Sequence, residues 1–68
     1  MKTSIFARLA PENIDMLSKI IEAYEYLGIV STLERDIGMV LIRATEDTYA
    51  DLMEILSYLP FPLEIVQE

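Results

Sequence analysis

Glu22-Ala23-Tyr24-Glu25-Tyr26-Leu27-Gly28-Ile29-Val30-Ser31-Thr32-Leu33-Glu34 changes its periodicity midway. Up to Leu27 it continues an apolar stripe (Ile14, Leu17, Ile20, Ile21, Tyr24, Leu27) at i, i+3, i+4 spacing, which predicts a helix over residues 11–27. From Ile29 to Arg35 the chain is rich in β-branched residues, which predicts a strand. Gly28 lies between the two and reads as the left-handed glycine that commonly ends a helix. On the helix, Tyr24 and Leu27 are expected to point to the core, and Glu22 and Tyr26 to solvent.

Toward the N-terminus, residues 3–9 alternate: Ile5, Ala7 and Leu9 on one side, Ser4, Phe6 and Arg8 on the other. Pro11 suits the first turn of a helix, and Glu12 and Asp15 complement its N-terminal dipole. Toward the C-terminus, Arg35-Asp36-Ile37-Gly38 fits a type I turn with Gly38 in the left-handed bulge position of a hairpin. Residues 39–44 follow as a third strand, nearly all apolar and therefore expected at the centre of a sheet, covered on both sides. Thr45 reads as an N-cap. Tyr49, Leu52, Met53, Leu56 and Leu59 make the stripe of a second helix over 46–59, which Pro60-Phe61-Pro62 stops. Residues 63–67 close the chain as a fourth strand.

Strand, helix, strand, strand, helix, strand is the order of an α+β, ferredoxin-like βαββαβ fold, here a single domain over 1–68. A weak internal repeat agrees with it: a slide of 32 residues pairs Asp15 with Asp47, Ile20 with Leu52, Glu22 with Glu54, Tyr26 with Tyr58 and Leu27 with Leu59. Right-handed crossovers put both helices on one face of a four-stranded antiparallel sheet, with the first and third strands central.

The composition excludes much chemistry. There is no cysteine and no histidine, so thiol nucleophiles, imidazole acid–base catalysis and the usual zinc sites are ruled out. With two glycines in all, Gly28 and Gly38, no glycine-rich loop can cradle phosphate. The acids lie along solvated helix faces, and Glu46, Asp47 and Asp51 match no calcium loop. No catalytic residue, cofactor site or metal site is expected, and the chain reads as a non-enzyme. Of the formal charge of −7, the two predicted helices carry all: eight acids against Lys19, while the remainder has four acids and four bases. Such a layer repels nucleic acid and anionic lipid. No apolar run is long enough to span a bilayer and no signal peptide is evident, so the expected location is cytoplasmic. A domain this short buries only about 60% of its unfolded surface and usually needs a staple. Without disulfide or metal, a partner chain is the staple left, and 53% apolar residues exceed what one small core absorbs.

A hairpin register pairing residue 33 with 41 and 31 with 43 sets Ser31, Leu33, Leu41 and Arg43 on one face. Burying Arg43 under helices without a partner is costly, so that face is expected to be the uncovered one. Phe6, Arg8, Leu33, Met39, Leu41, Arg43 and Val66 are the candidate interface, with Ile29 and Glu64 beside them. The expected function is a small module that self-associates through this face as a homo-oligomer, most simply a dimer. Leu41→Glu is expected to break the assembly without unfolding the chain. Glu22 with Tyr26, and Glu54 with Tyr58, recur four residues apart on the polar helix sides as possible contacts for a partner.

The run Glu22-Ala-Tyr24-Glu25-Tyr-Leu27-Gly-Ile-Val30-Ser-Thr32-Leu33-Glu34 resembles a bacterial domain-of-unknown-function family, whose members look like they carry Glu-x-Tyr-Glu-x-Leu, then Val-x-Thr-Leu and an acid. Tyr26 stands where that family's pattern leads one to expect glycine. The resemblance implies a small bacterial cytoplasmic protein and lends no catalytic residue. By topology the chain is also similar to ACT domains, which implies an alternative: a regulatory module binding a small-molecule ligand at a dimer interface near residues 10–13 and 28–31. ACT domains usually have a glycine after the first strand, where this chain has Ala10-Pro11-Glu12-Asn13.

Overall fold

The computed structural model describes residues 3–24 and 27–67. The strands are β1 (Ser4–Arg8), β2 (Ile29–Glu34), β3 (Met39–Arg43) and β4 (Glu64–Gln67), and the helices α1 (Ile14–Glu22) and α2 (Tyr49–Ser57). All four strands join one antiparallel sheet in the order β2-β3-β1-β4. That is the ferredoxin-like arrangement the element order implies, with β1 and β3 central.

Alternation decides the layers. Ile5 and Ala7 of β1 and Val40 and Ile42 of β3 are fully buried. They share one core with Leu9, with Ile14, Leu17, Ile21 and Leu27 from α1 and its exit, and with Leu52 and Leu56 of α2. Both helices therefore lie on the Ile5/Ile42 side. Each fully buried Leu or Ile contributes about 1.5–3 kcal/mol of transfer free energy. No helix among the described residues is long and apolar enough to cross a membrane.

The first helix begins as a 3-10 turn over Pro11–Asn13 and becomes α-helical at Ile14. It ends at Glu22 with Ala23 as C-cap, well short of Leu27. Carried on from Ile14 to Leu27 it would be about 21 Å long, overshooting five-residue strands of about 17 Å. Tyr24, expected in the core stripe, is instead 50% exposed, because the stripe ends where the helix ends. Leu27 is buried, as expected, but from the connection, where its N–H donates to Tyr24 O at 2.6 Å.

Gly28 has no positive φ and does not cap the helix in a left-handed conformation. Its role is close approach: a Cβ there would stand 2.8 Å from the Arg43 carbonyl oxygen of β3. Gly28→Ala is therefore expected to push β2 off β3 at its start, at a cost of about 1–3 kcal/mol. Urea denaturation checks this, and an unchanged midpoint would show that the strands have room there.

Gly38 does take the left-handed conformation expected of it, with φ 70° and ψ 30°, closing a 3-10 turn over Arg35–Ile37. The hairpin register differs from the expectation by two residues. Ile29 pairs with Arg43, Val30 with Ile42, Ser31 with Leu41 and Thr32 with Val40, and after an irregularity Glu34 pairs with Met39. One residue goes into the bulge at Leu33 and one into the longer turn. A shift of two preserves the faces, because side chains alternate with period two.

The second helix proper is shorter than expected, but its entry is built on Thr45. Thr45 N–H donates to Thr48 Oγ1 at 3.0 Å, and Thr48 N–H to Thr45 Oγ1 at 3.3 Å. Tyr49 N–H donates to Thr45 O at 3.0 Å. This is a reciprocal capping box with threonine in place of the usual glutamate, and it satisfies the buried Thr48 hydroxyl.

Candidate functional site

The registers arrange the helix-free face in three rows across the sheet. Ile29, Arg43 and Ser4 form one end; Ser31, Leu41, Phe6 and Gln67 the middle; Glu34, Met39, Arg8 and Glu64 the other end. The middle row is apolar at its centre. The far row carries charge in alternation, and Arg8 Nη2 donates to Glu64 Oε1 at 3.0 Å across directly paired positions. Both partners are more than half exposed, so the pair adds at most about 1 kcal/mol and mainly balances the face electrically.

Of the expected interface residues, Phe6, Arg8, Met39, Leu41 and Arg43 share this face by strict alternation along β1 and β3. Phe6 and Met39 are half-buried, and Arg8 and Arg43 exposed. Leu33 and Val66 sit at irregularities, one on each edge strand, and both are exposed. Leu41 behaves differently from the expectation. Although no helix covers it, it is only 9% exposed, with Phe6 and Ser31 as cross-strand neighbours. A glutamate there would bury an unpaired carboxylate, so Leu41→Glu cannot be expected to spare the fold. The most exposed large apolar side chain of the sheet is Ile29, at 68%. It stands on the uncovered face, as expected, at the first residue of an edge strand, with Arg43 as its cross-strand neighbour.

The helix layer holds the second set of candidates. Glu22, Glu54 and Tyr58 are exposed, Tyr58 to 80%. Tyr26 and Glu25 lie outside the described residues. Glu54 does not stand with Tyr58 alone: with Asp51 and Ile55 of α2 and Tyr24 and Leu27 of the α1–β2 connection it lines a shallow groove of about 260 Å³. Among the described residues the ion pairs are Arg8–Glu64 and Arg35–Asp15, the latter at 3.7 Å, so neither Asp51 nor Glu54 has a basic partner there. No group of three or more metal-ligating side chains gathers among the described residues. Residues 10–13 follow the end of β1 beside Met39, whereas 28–31 lie beside Arg43 at the other end of β3. A single ligand touching both would have to bridge two chains.

The family model for "Domain of unknown function (DUF4911)" matches residues 7–62, and the chain belongs to that family. No curated protein and no solved structure matches it.

Proposed function

We propose, for this member of the family of domains of unknown function, a non-enzymatic module that self-associates through the helix-free face of its sheet. The observation that carries the reading is the pairing of that face's character with the charge on the opposite layer. The face combines Phe6, Met39 and Leu41 with exposed Ile29, Leu33 and Val66, and its charges alternate in sign. Apolar faces of this kind on small proteins mark interfaces. α1 and α2 carry Asp15, Glu22, Asp51 and Glu54 against Lys19 alone, a net charge of −3 on the layer away from the sheet's helix-free face, so two copies meeting sheet to sheet keep these like charges apart. The molecule measures 31 × 22 × 17 Å, and its broad face offers on the order of 600 Å² in projection, near the ~800 Å² per partner of standard interfaces.

Arg43→Glu with Val66→Glu tests the reading at two exposed positions of the face. The double variant is expected to keep the wild-type circular dichroism and to weaken sheet-to-sheet association by at least about 100-fold, since like charges set against each other across an interface cost several kcal/mol. Sedimentation equilibrium measures it. A folded double variant that associates as the wild type does would overturn the reading.

A further inference from the structure

The two edges of the sheet are unlike. β4 is four residues long, begins with Glu64 two residues after Pro62, and is irregular at Val66. Shortness, charge, nearby proline and a bulge are the devices by which edge strands avoid pairing with other chains. β2 is six residues long, and from Ile29 to Leu33 it carries no charge and no proline, its irregularity confined to the Leu33–Glu34 end. As the first strand of the order it pairs with no second strand among the described residues, and so offers an outer edge along a β-branched run.

We propose that β2 pairs with β2 of a second copy of this chain, antiparallel about a two-fold axis at Ser31, joining two sheets into one of eight strands. A two-fold axis normal to the sheet pairs residues that share a face, so only registers centred on a residue are allowed. Centring on Ser31 sets Ile29 against the partner's Leu33 and Leu33 against the partner's Ile29 on the helix-free face. On the helix side it sets Val30 against Thr32. Glu34 lies past the irregularity, outside this paired run, so no like charges are opposed. Centring on Val30 sets Ile29 against Ser31, and centring on Thr32 sets Leu33 against Ser31, so neither joins the two large exposed side chains. Aromatic and aliphatic cross-strand pairs are what stabilise such ladders. This contact goes beyond the sheet-to-sheet reading and is independent of it. Where both hold, two joined sheets stack through their doubled helix-free faces.

The test uses the Arg43→Glu/Val66→Glu chain, in which sheet-to-sheet contact is removed, with sedimentation equilibrium and concentration-dependent amide exchange over residues 29–33. The expected result is a residual dimer in which the outward amides of β2 exchange at least about tenfold more slowly at high than at low concentration. Adding Ile29→Lys, a surface change whose folding is checked by circular dichroism, abolishes both. A folded double variant that is monomeric at every concentration overturns the edge contact and leaves the sheet-to-sheet reading standing. So does an Ile29→Lys chain that keeps its wild-type mass and exchange. A wild-type chain no larger than a dimer, insensitive to Arg43→Glu/Val66→Glu but split by Ile29→Lys, supports the edge contact and overturns the other.

Discussion

Gly38→Ala is expected to leave the chain largely unfolded at 25 °C. Two effects coincide at this residue. Its φ of 70° lies in the left-handed region, where an alanine costs about 1 kcal/mol relative to glycine. More severely, a Cβ would stand 1.6 Å from the Leu9 carbonyl oxygen, which is backbone and has no rotamer to escape into. The two segments are also held together there, with Leu9 N–H donating to Gly38 O at 3.0 Å. Relief requires separating the end of β1 from the β2–β3 turn, and β1 and β3 are the two central strands. The loss is expected to be about 3–5 kcal/mol, the whole stability of many domains this small. Far-UV circular dichroism and urea titration at low protein concentration decide it. A Gly38→Ala chain with a wild-type midpoint would mean that the turn and β1 are not packed backbone to backbone.

Leu17→Ala is expected to cost about 3–4 kcal/mol. Leu17 is fully buried at the centre of α1, among residues from β1, β3 and α2. Alanine is the best helix former, so the helix itself is not the casualty. What is lost is the transfer free energy of the side chain together with the cavity it leaves. Ile29→Ala is the matched control: on a side chain 68% exposed, measured where the chain is monomeric, the change is expected to stay within about 0.5 kcal/mol. Similar losses from the two substitutions would contradict the assignment of the Ile5/Ile42 face as the covered one.

These two substitutions mark where sequence and structure agree most closely. Gly38 is legible because a glycine three residues after Arg35, between two β-rich runs, has few uses other than a left-handed turn residue. The layers are legible because Ile5, Ala7, Val40 and Ile42 alternate with Phe6, Arg8, Leu41 and Arg43, and an arginine on each central strand marks the face that helices cannot cover. The rest depends on lengths and neighbours that local pattern does not encode. The stripe on α1 runs on to Leu27, yet the strands are too short for the helix to follow it, so Tyr24 emerges and Leu27 is buried from a loop. Gly28 looks like a cap in one dimension, and only the approach of the Arg43 carbonyl oxygen explains it. The hairpin register depends on a bulge at Leu33 that leaves no mark in the residue types. For the candidate interface, the face was legible, the exposed Ile29 included, but not the sealing of Leu41 between neighbouring strands. The echo of Glu22–Tyr26 in Glu54–Tyr58 is answered only in part. Glu54 lines a groove that Tyr24, not Tyr58, helps to form.

Charge and shape together make self-association the economical explanation of an otherwise poorly stapled chain. No disulfide is possible without cysteine. On the proposed reading a partner copy covers the apolar face and adds stability by mass action, so the melting temperature is expected to rise with protein concentration.

Sedimentation equilibrium of the unmodified chain at high micromolar concentration tests this most directly. The expected result is a mass at least twice the 7.8 kDa of one chain, falling on dilution. A mass of 7.8 kDa across the whole concentration range would contradict it.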